Sequence, residues 1–222
     1  MGTWGTGPEH RPKETSTLLA PSERERLIAA MAASCGERGY AAASVEDVVS
    51  RSGLSRSDFD RHFIDKADCA LAAVDQILAE TTQVVGAART PEVADWQFLL
   101  AATQALLELM AARPSYARLA CIEARSAMPT DAYDRYTAGI RVIVAMLDRV
   151  RAYAALSAPP SATRGAIGGA ELLIRRELIA GRAERLPELL PDIIYGTVVP
   201  FLDQREALRY AELARDLQKN GG

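Results

Sequence analysis

Histidine, cysteine and aromatic side chains are scarce in this chain of 222 residues, and each shortage excludes something. The only histidines, His10 and His62, are too few and too far apart for a zinc site. Three scattered cysteines, Cys35, Cys69 and Cys121, form no CxxC pair and read as reduced, buried thiols in a cytosolic protein. No apolar run approaches the length needed to cross a bilayer and no signal-peptide core is present, so a cytoplasmic protein without membrane contact is expected. There is no nucleophile–base constellation, no metal-ligand cluster and no phosphate-cradling glycine loop, so neither an enzyme nor a cofactor is expected. A basic excess is missing too. Net charge is −3, and residues 1–68 carry nine Lys and Arg against eleven Asp and Glu. Non-specific nucleic-acid affinity comes from phosphate neutralisation, so composition alone does not suggest that partner.

Alanine and leucine are abundant, aromatics make up 6%, and no useful β-alternation occurs, which together predict an all-α protein. The chain is organised around residues 44–66, SVEDVVSRSGLSRSDFDRHFIDK. Ser44 and Asp47 have capping-box spacing, and Val45, Val48 and Val49 share a helical face. Gly53 stands where the chain must turn, since it alone takes a left-handed φ without steric cost. Ser55 and Asp58 form a second capping box, and Phe59 and Phe63 lie four apart on one side. Arg56, Ser57, Asp60, Arg61 and His62 remain on the polar face. Two short helices around a sharp turn, the second burying aromatics, have the shape of a helix-turn-helix.

With the helix before it, this stretch resembles the DNA-binding domain of the tetracycline-repressor (TetR) family of bacterial regulators. The shared landmarks are Arg26, Ala29-Ala30, Gly39-Tyr40, Ser44-Val45, Gly53-Leu54-Ser55, Phe59, His62-Phe63 and Lys66, without insertions. The resemblance implies an all-α architecture: a three-helix DNA-binding head, then a helical ligand-binding and dimerisation domain. Its expected divisions are a flexible tail at 1–21, the head at 22–68 with its motif at about 45–64, and the body at 69–222. Arg11 and Lys13 of the tail either trail into a minor groove or belong to a disordered leader.

The resemblance also assigns roles. Arg56 and Ser57 are candidates for base contact, and arginine can reach guanine O6 and N7 together. Arg61, His62 and Lys66 would meet phosphates, and Ser44 would donate at a helix start; the blander reading makes them ordinary charges and a cap. Asp60 departs from the family, which usually has a tyrosine there. It either accepts from cytosine or repels phosphate.

Beyond the head, helical periodicity predicts a long helix from Lys66 to about Gly86, capped by Asp65. Further helices are expected after Pro91, after Pro114, and from Asp131 to about Leu156. An apolar pair covers 162–181 and 187–202, and an amphipathic tail follows. The resemblance to the TetR family implies that the middle helices enclose a cavity for an unknown small-molecule effector. Its candidate lining is Trp96, Phe98, Met110, Tyr116, Met128, Tyr133 and Tyr136, with Glu123 and Arg125 as orienting polar groups. The stripe Ala166, Ile167, Ala170, Ile174 and Leu178, with Ile194 and Val198 on an over-apolar last helix, is the expected homodimer interface. The expected function is a ligand-responsive regulator, a repressor on an inverted-repeat site in double-stranded DNA. The alternative is a helical small-molecule sensor that has lost specific DNA binding.

Overall fold

The computed structural model describes residues 20–89, 95–126, 128–152, 158–159 and 161–220. The expected tail, with Arg11 and Lys13, falls almost wholly outside them, as do Pro91 and Leu156. Among the described residues there is no strand. The head comprises α1 (Glu23–Arg38), α2 (Val45–Ser52) and α3 (Arg56–His62). The helix α4 (Lys66–Ala87) then runs into the body without a break at the expected boundary.

The body adds α5 (Asp95–Ala112) and α6 (Pro114–Arg118), a π-helical turn at Leu119–Glu123, and α7 (Ala124–Ser126). The longest helix is α8 (Thr130–Ala152), followed by α9 (Ser161–Ile179). A 3₁₀ segment, Ala183–Leu189, leads to α10 (Leu190–Val198) and finally α11 (Gln204–Asn220). None of the described helices is long and apolar enough to cross a membrane.

Local chemistry sets the head. Ser22, Ser44 and Ser55 each accept a hydrogen bond from the N3 backbone, and Glu25, Asp47 and Asp58 each reach back to the cap N–H. These reciprocal bonds satisfy donors that a helix start leaves open. Gly53 has φ 66° and ψ 28°, the left-handed geometry that lets α2 stop and α3 begin. Leu27, Met31, Val48, Phe59 and Phe63 fill the space between the three helices, with the two phenylalanine rings 5.6 Å apart. That core continues through Cys69 and Val74 of α4 into the body. On α1, a Cβ at Gly36 would come within 3.0 Å of the Ser115 backbone, so α1 and α6 approach as closely as glycine permits.

The C-terminal half corrects the sequence expectation in one respect. The apolar segment after residue 187 is not one long helix, because residues 183–189 wind as 3₁₀ around Pro187. Its hydrophobicity is spent within the chain: Leu190, Ile193, Ile194 and Val198 are buried where α10 packs on α9 and α11. The amphipathic α11 covers the face that sequence reading left for a partner.

Candidate nucleic-acid interface and ligand cavity

The capping boxes and Gly53 hold α3 with Phe59 inward and Arg56, Ser57, Asp60 and Arg61 outward, all four exposed. Neither arginine is unengaged. Arg56 donates from Nε to Asp60 Oδ1 at 3.0 Å and from Nη1 to Glu46 Oε1 at 3.1 Å, while its guanidinium lies 6.0 Å from the Phe59 ring. The hydrogen bond from Arg56 leaves Asp60 with a partner on its own helix, so the carboxylate orients Arg56. Arg61 pairs with Glu23 at 3.1 Å and also bonds Asp58; His62 Nε2 lies 3.3 Å from the same Glu23 carboxylate. The Ser55 backbone and hydroxyl, then Arg61, hold the Asp58 carboxyl at about 2. Both arginines of α3 are therefore bridged to carboxylates, and any anion meeting them would have to displace or share those bonds.

Two of the residues expected to meet phosphates carry bonds within the head. Lys66 Nζ donates to the carbonyls of Tyr40 and Ala43, each at 3.0 Å, and sits 4.3 Å from the Tyr40 ring centroid. Two of its three donors are thus committed to closing the turn between α1 and α2. Ser44 donates its hydroxyl proton to Asp47 at 2.9 Å while accepting from the Asp47 N–H at 3.1 Å, so its side chain is fully engaged as a cap.

The body contains a cavity of about 140 Å³, roughly ten times the space one water needs. Residues of α4, α5, α6, the π turn, α8, α9 and α10 line it. From the expected lining, Met110 and Tyr136 stand on its wall. The other residues lie elsewhere. Trp96 packs on Tyr210 of α11 with ring centroids 5.6 Å apart, Phe98 sits under Arg89, and Tyr116 sits under Arg113. Met128 packs at the core edge, and Tyr133 is 45% exposed. Glu123 is buried but points at the head, accepting from the Tyr40 N–H at 2.9 Å. Arg125 pairs with Glu171 at 2.8 Å and stacks 5.5 Å from the Tyr136 ring.

The expected dimer stripe largely faces inward. Ile167, Ala170 and Ile174 line the cavity, and Ala166, Leu178, Ile194 and Val198 are buried within the single chain. The outer face of α9 instead shows Gly165, Gly168, Gly169, Leu172 and Ile179, with Leu172 69% and Ile179 62% exposed. Sequence reading chose the more apolar of two stripes without knowing that the cavity and α10 would claim it.

Glu171 and Arg175 also escaped sequence reading. They stand four apart at the margin of the Ile167–Ile174 stripe, and charge at the edge of an apolar face was the available signal. Tyr136 donates to Glu171, and burial keeps its phenol protonated. Burial likewise pushes the Cys121 thiol on the cavity wall up to about 12, so it stays unionised.

A capped three-helix head that displays a short polar helix after a left-handed glycine turn is a helix-turn-helix, the class of fold that presents such a helix to DNA. Residues 27–73 match the profile described as bacterial regulatory proteins, tetR family. That match covers the three-helix head and the start of α4, so this part of the chain is similar to the family's amino-terminal domain. Solved structures share the whole fold. The fatty acid degradation regulator FadR from Bacillus halodurans superposes with TM-score 0.69 at 13% identity, covering 81% of this chain and 95% of that one. TylP, a tetR regulator from Streptomyces fradiae, gives TM-score 0.64 at 20% identity over 89% and 96% of the two chains. A gamma-butyrolactone receptor (ArpA-like protein) gives 0.61 at 17% over 89% and 97%. No curated protein matches the chain in sequence.

Proposed function

We propose that this protein is a repressor that leaves an inverted-repeat DNA site when a small molecule fills the body cavity. The observation that carries this reading is the joint between the two parts. Glu123 ends the π-helical turn whose Ala120 and Cys121 line the cavity, and its carboxylate caps the Tyr40 N–H at the end of α1. Beside that bond, Lys66 at the start of α4 holds the carbonyls of Tyr40 and Ala43. A ligand that displaces the π turn acts on the head through one buried carboxylate. π turns recur at functional sites, and a buried charge tolerates little loss of its partner.

Arg56 and Ser57 at the start of α3 contact bases in this reading, and Arg61 and His62 meet phosphates after exchanging their bonds to Glu23 and Asp58. Two copies join through the outer face of α9, where Gly165, Gly168 and Gly169 permit close approach and Leu172 and Ile179 supply apolar contact. The name of the gamma-butyrolactone receptor supports an effector of small-molecule size. DNase footprinting of DNA beside the protein's own gene tests the reading. It should protect two dyad-related half-sites about one helical turn apart, or a multiple of it. Protection of a single unsymmetrical site, or none, contradicts it.

A second reading, a sensor without specific DNA binding, draws on the four carboxylates that engage Arg56 and Arg61. It predicts no footprint at any tested salt concentration, with ligand binding intact.

A further inference from the structure

We infer that the cavity takes a slender apolar molecule ending in one anionic group, a medium-chain carboxylate, with Arg175 as its counter-charge. This rests on the reading of the cavity as the effector site. The walls are aliphatic, with Ile77, Leu78, Leu99, Leu106, Ile140 and Ile143 among them. Along α4 the lining runs from Ile77 to Val85, about 12 Å at roughly 1.5 Å per residue, which suits an extended chain better than a compact ring system.

The polar groups of the wall narrow the chemistry. Thr82 and Thr103 donate to the carbonyls of Leu78 and Leu99 on their own helices, so neither hydroxyl proton is available to a ligand. Glu171 and Arg175 are the charged residues of the lining. Glu171 is already engaged by Arg125 at 2.8 Å and by the Tyr136 hydroxyl. Arg175 is half-buried and has no ion pair or hydrogen bond among the described residues. Arg125, Glu171 and Arg175 thus leave one positive charge in excess beside an apolar chamber. Partly burying an unpaired guanidinium is costly, and a carboxylate matches its planar fork with two parallel hydrogen bonds. A neutral ligand leaves that charge uncompensated.

Calorimetric titration of the full chain with decanoate and with 1-decanol, equal in chain length and different in charge, tests this. The wild type should bind decanoate more tightly. Arg175→Gln should weaken decanoate by about tenfold or more while leaving decanol unchanged, and Arg175→Lys should restore most of the loss. Equal affinity of the wild type for both ligands overturns the inference and leaves the cavity as effector site. So does undiminished decanoate binding by Arg175→Gln, or a lysine variant no better than the glutamine one. Failure of the wild type to bind either ligand overturns the inference together with the effector reading.

Discussion

Lys66 shows how a side chain that matches a family landmark can hold the head together by bonds its spacing does not announce. Its position at the start of α4 suggested phosphate contact, but its ammonium closes the turn that joins α1 to α2. The carbonyls it holds are distant in sequence, so spacing could not reveal them. Lys66→Ala should therefore destabilise the protein by about 1.5–3 kcal/mol, the usual worth of hydrogen bonds to a charged group. The salt dependence of DNA binding should hardly change. Chemical denaturation and a salt series on the same variant separate the two roles; unchanged stability with a slope shallower by about one unit per contact would restore the phosphate assignment. Asp60 is similar. Sequence reading offered cytosine contact or repulsion, and its bond to Arg56 adds a third role, aiming the arginine.

At the scale of the element, what was legible was local. Capping boxes, the Gly53 turn and the Phe59–Phe63 pair follow from spacings of three and four residues, and all three stand in the structure. What was not legible depended on distant partners: α11 covering α10, the cavity claiming the Ile167–Ile174 stripe, and Glu123 reaching Tyr40. The capping boxes carry a pH signature. Hydrogen bonds from Ser22, Ser44 and Ser55 lower the carboxyls of Glu25, Asp47 and Asp58, the last from 3.8 to about 2. The folded head binds these protons less readily than the unfolded chain, so its stability is complete above about pH 5 and declines as pH falls toward 2. Urea midpoints measured across that interval should fall less steeply for Ser55→Ala; parallel curves would show that the box contributes no linkage.

The joint between cavity and head makes a separate prediction. Glu123→Gln keeps the shape but weakens the charge-assisted bond to the Tyr40 N–H, so ligand affinity should persist while ligand-driven release from DNA is blunted. Titrating DNA-bound protein with a cavity ligand reads this directly. Full release by the variant at wild-type ligand concentrations would place the coupling elsewhere.

At the scale of the whole molecule, one chain offers one α3 helix, and a dyad-symmetric site needs two. The proposed joining surface is the outer face of α9. Leu172→Asp places a charge in that interface without touching the monomer core, so sedimentation should show a monomer where the wild type sediments as a dimer at micromolar concentration. Ile174 is a poor probe of the same question, since Ile174→Asp would put its charge in the cavity wall. A wild-type monomer would sink the assembly.

The central claim is that α3 reads DNA despite an acidic head, and binding across a salt series to DNA from beside the protein's own gene tests it most directly. Wild type should prefer that DNA over a scrambled sequence, with a log–log slope steepened by each phosphate contact, and Arg56→Ala should lose roughly tenfold or more per half-site at one base position. Equal, salt-insensitive binding of wild type and Arg56→Ala to both DNAs would contradict it.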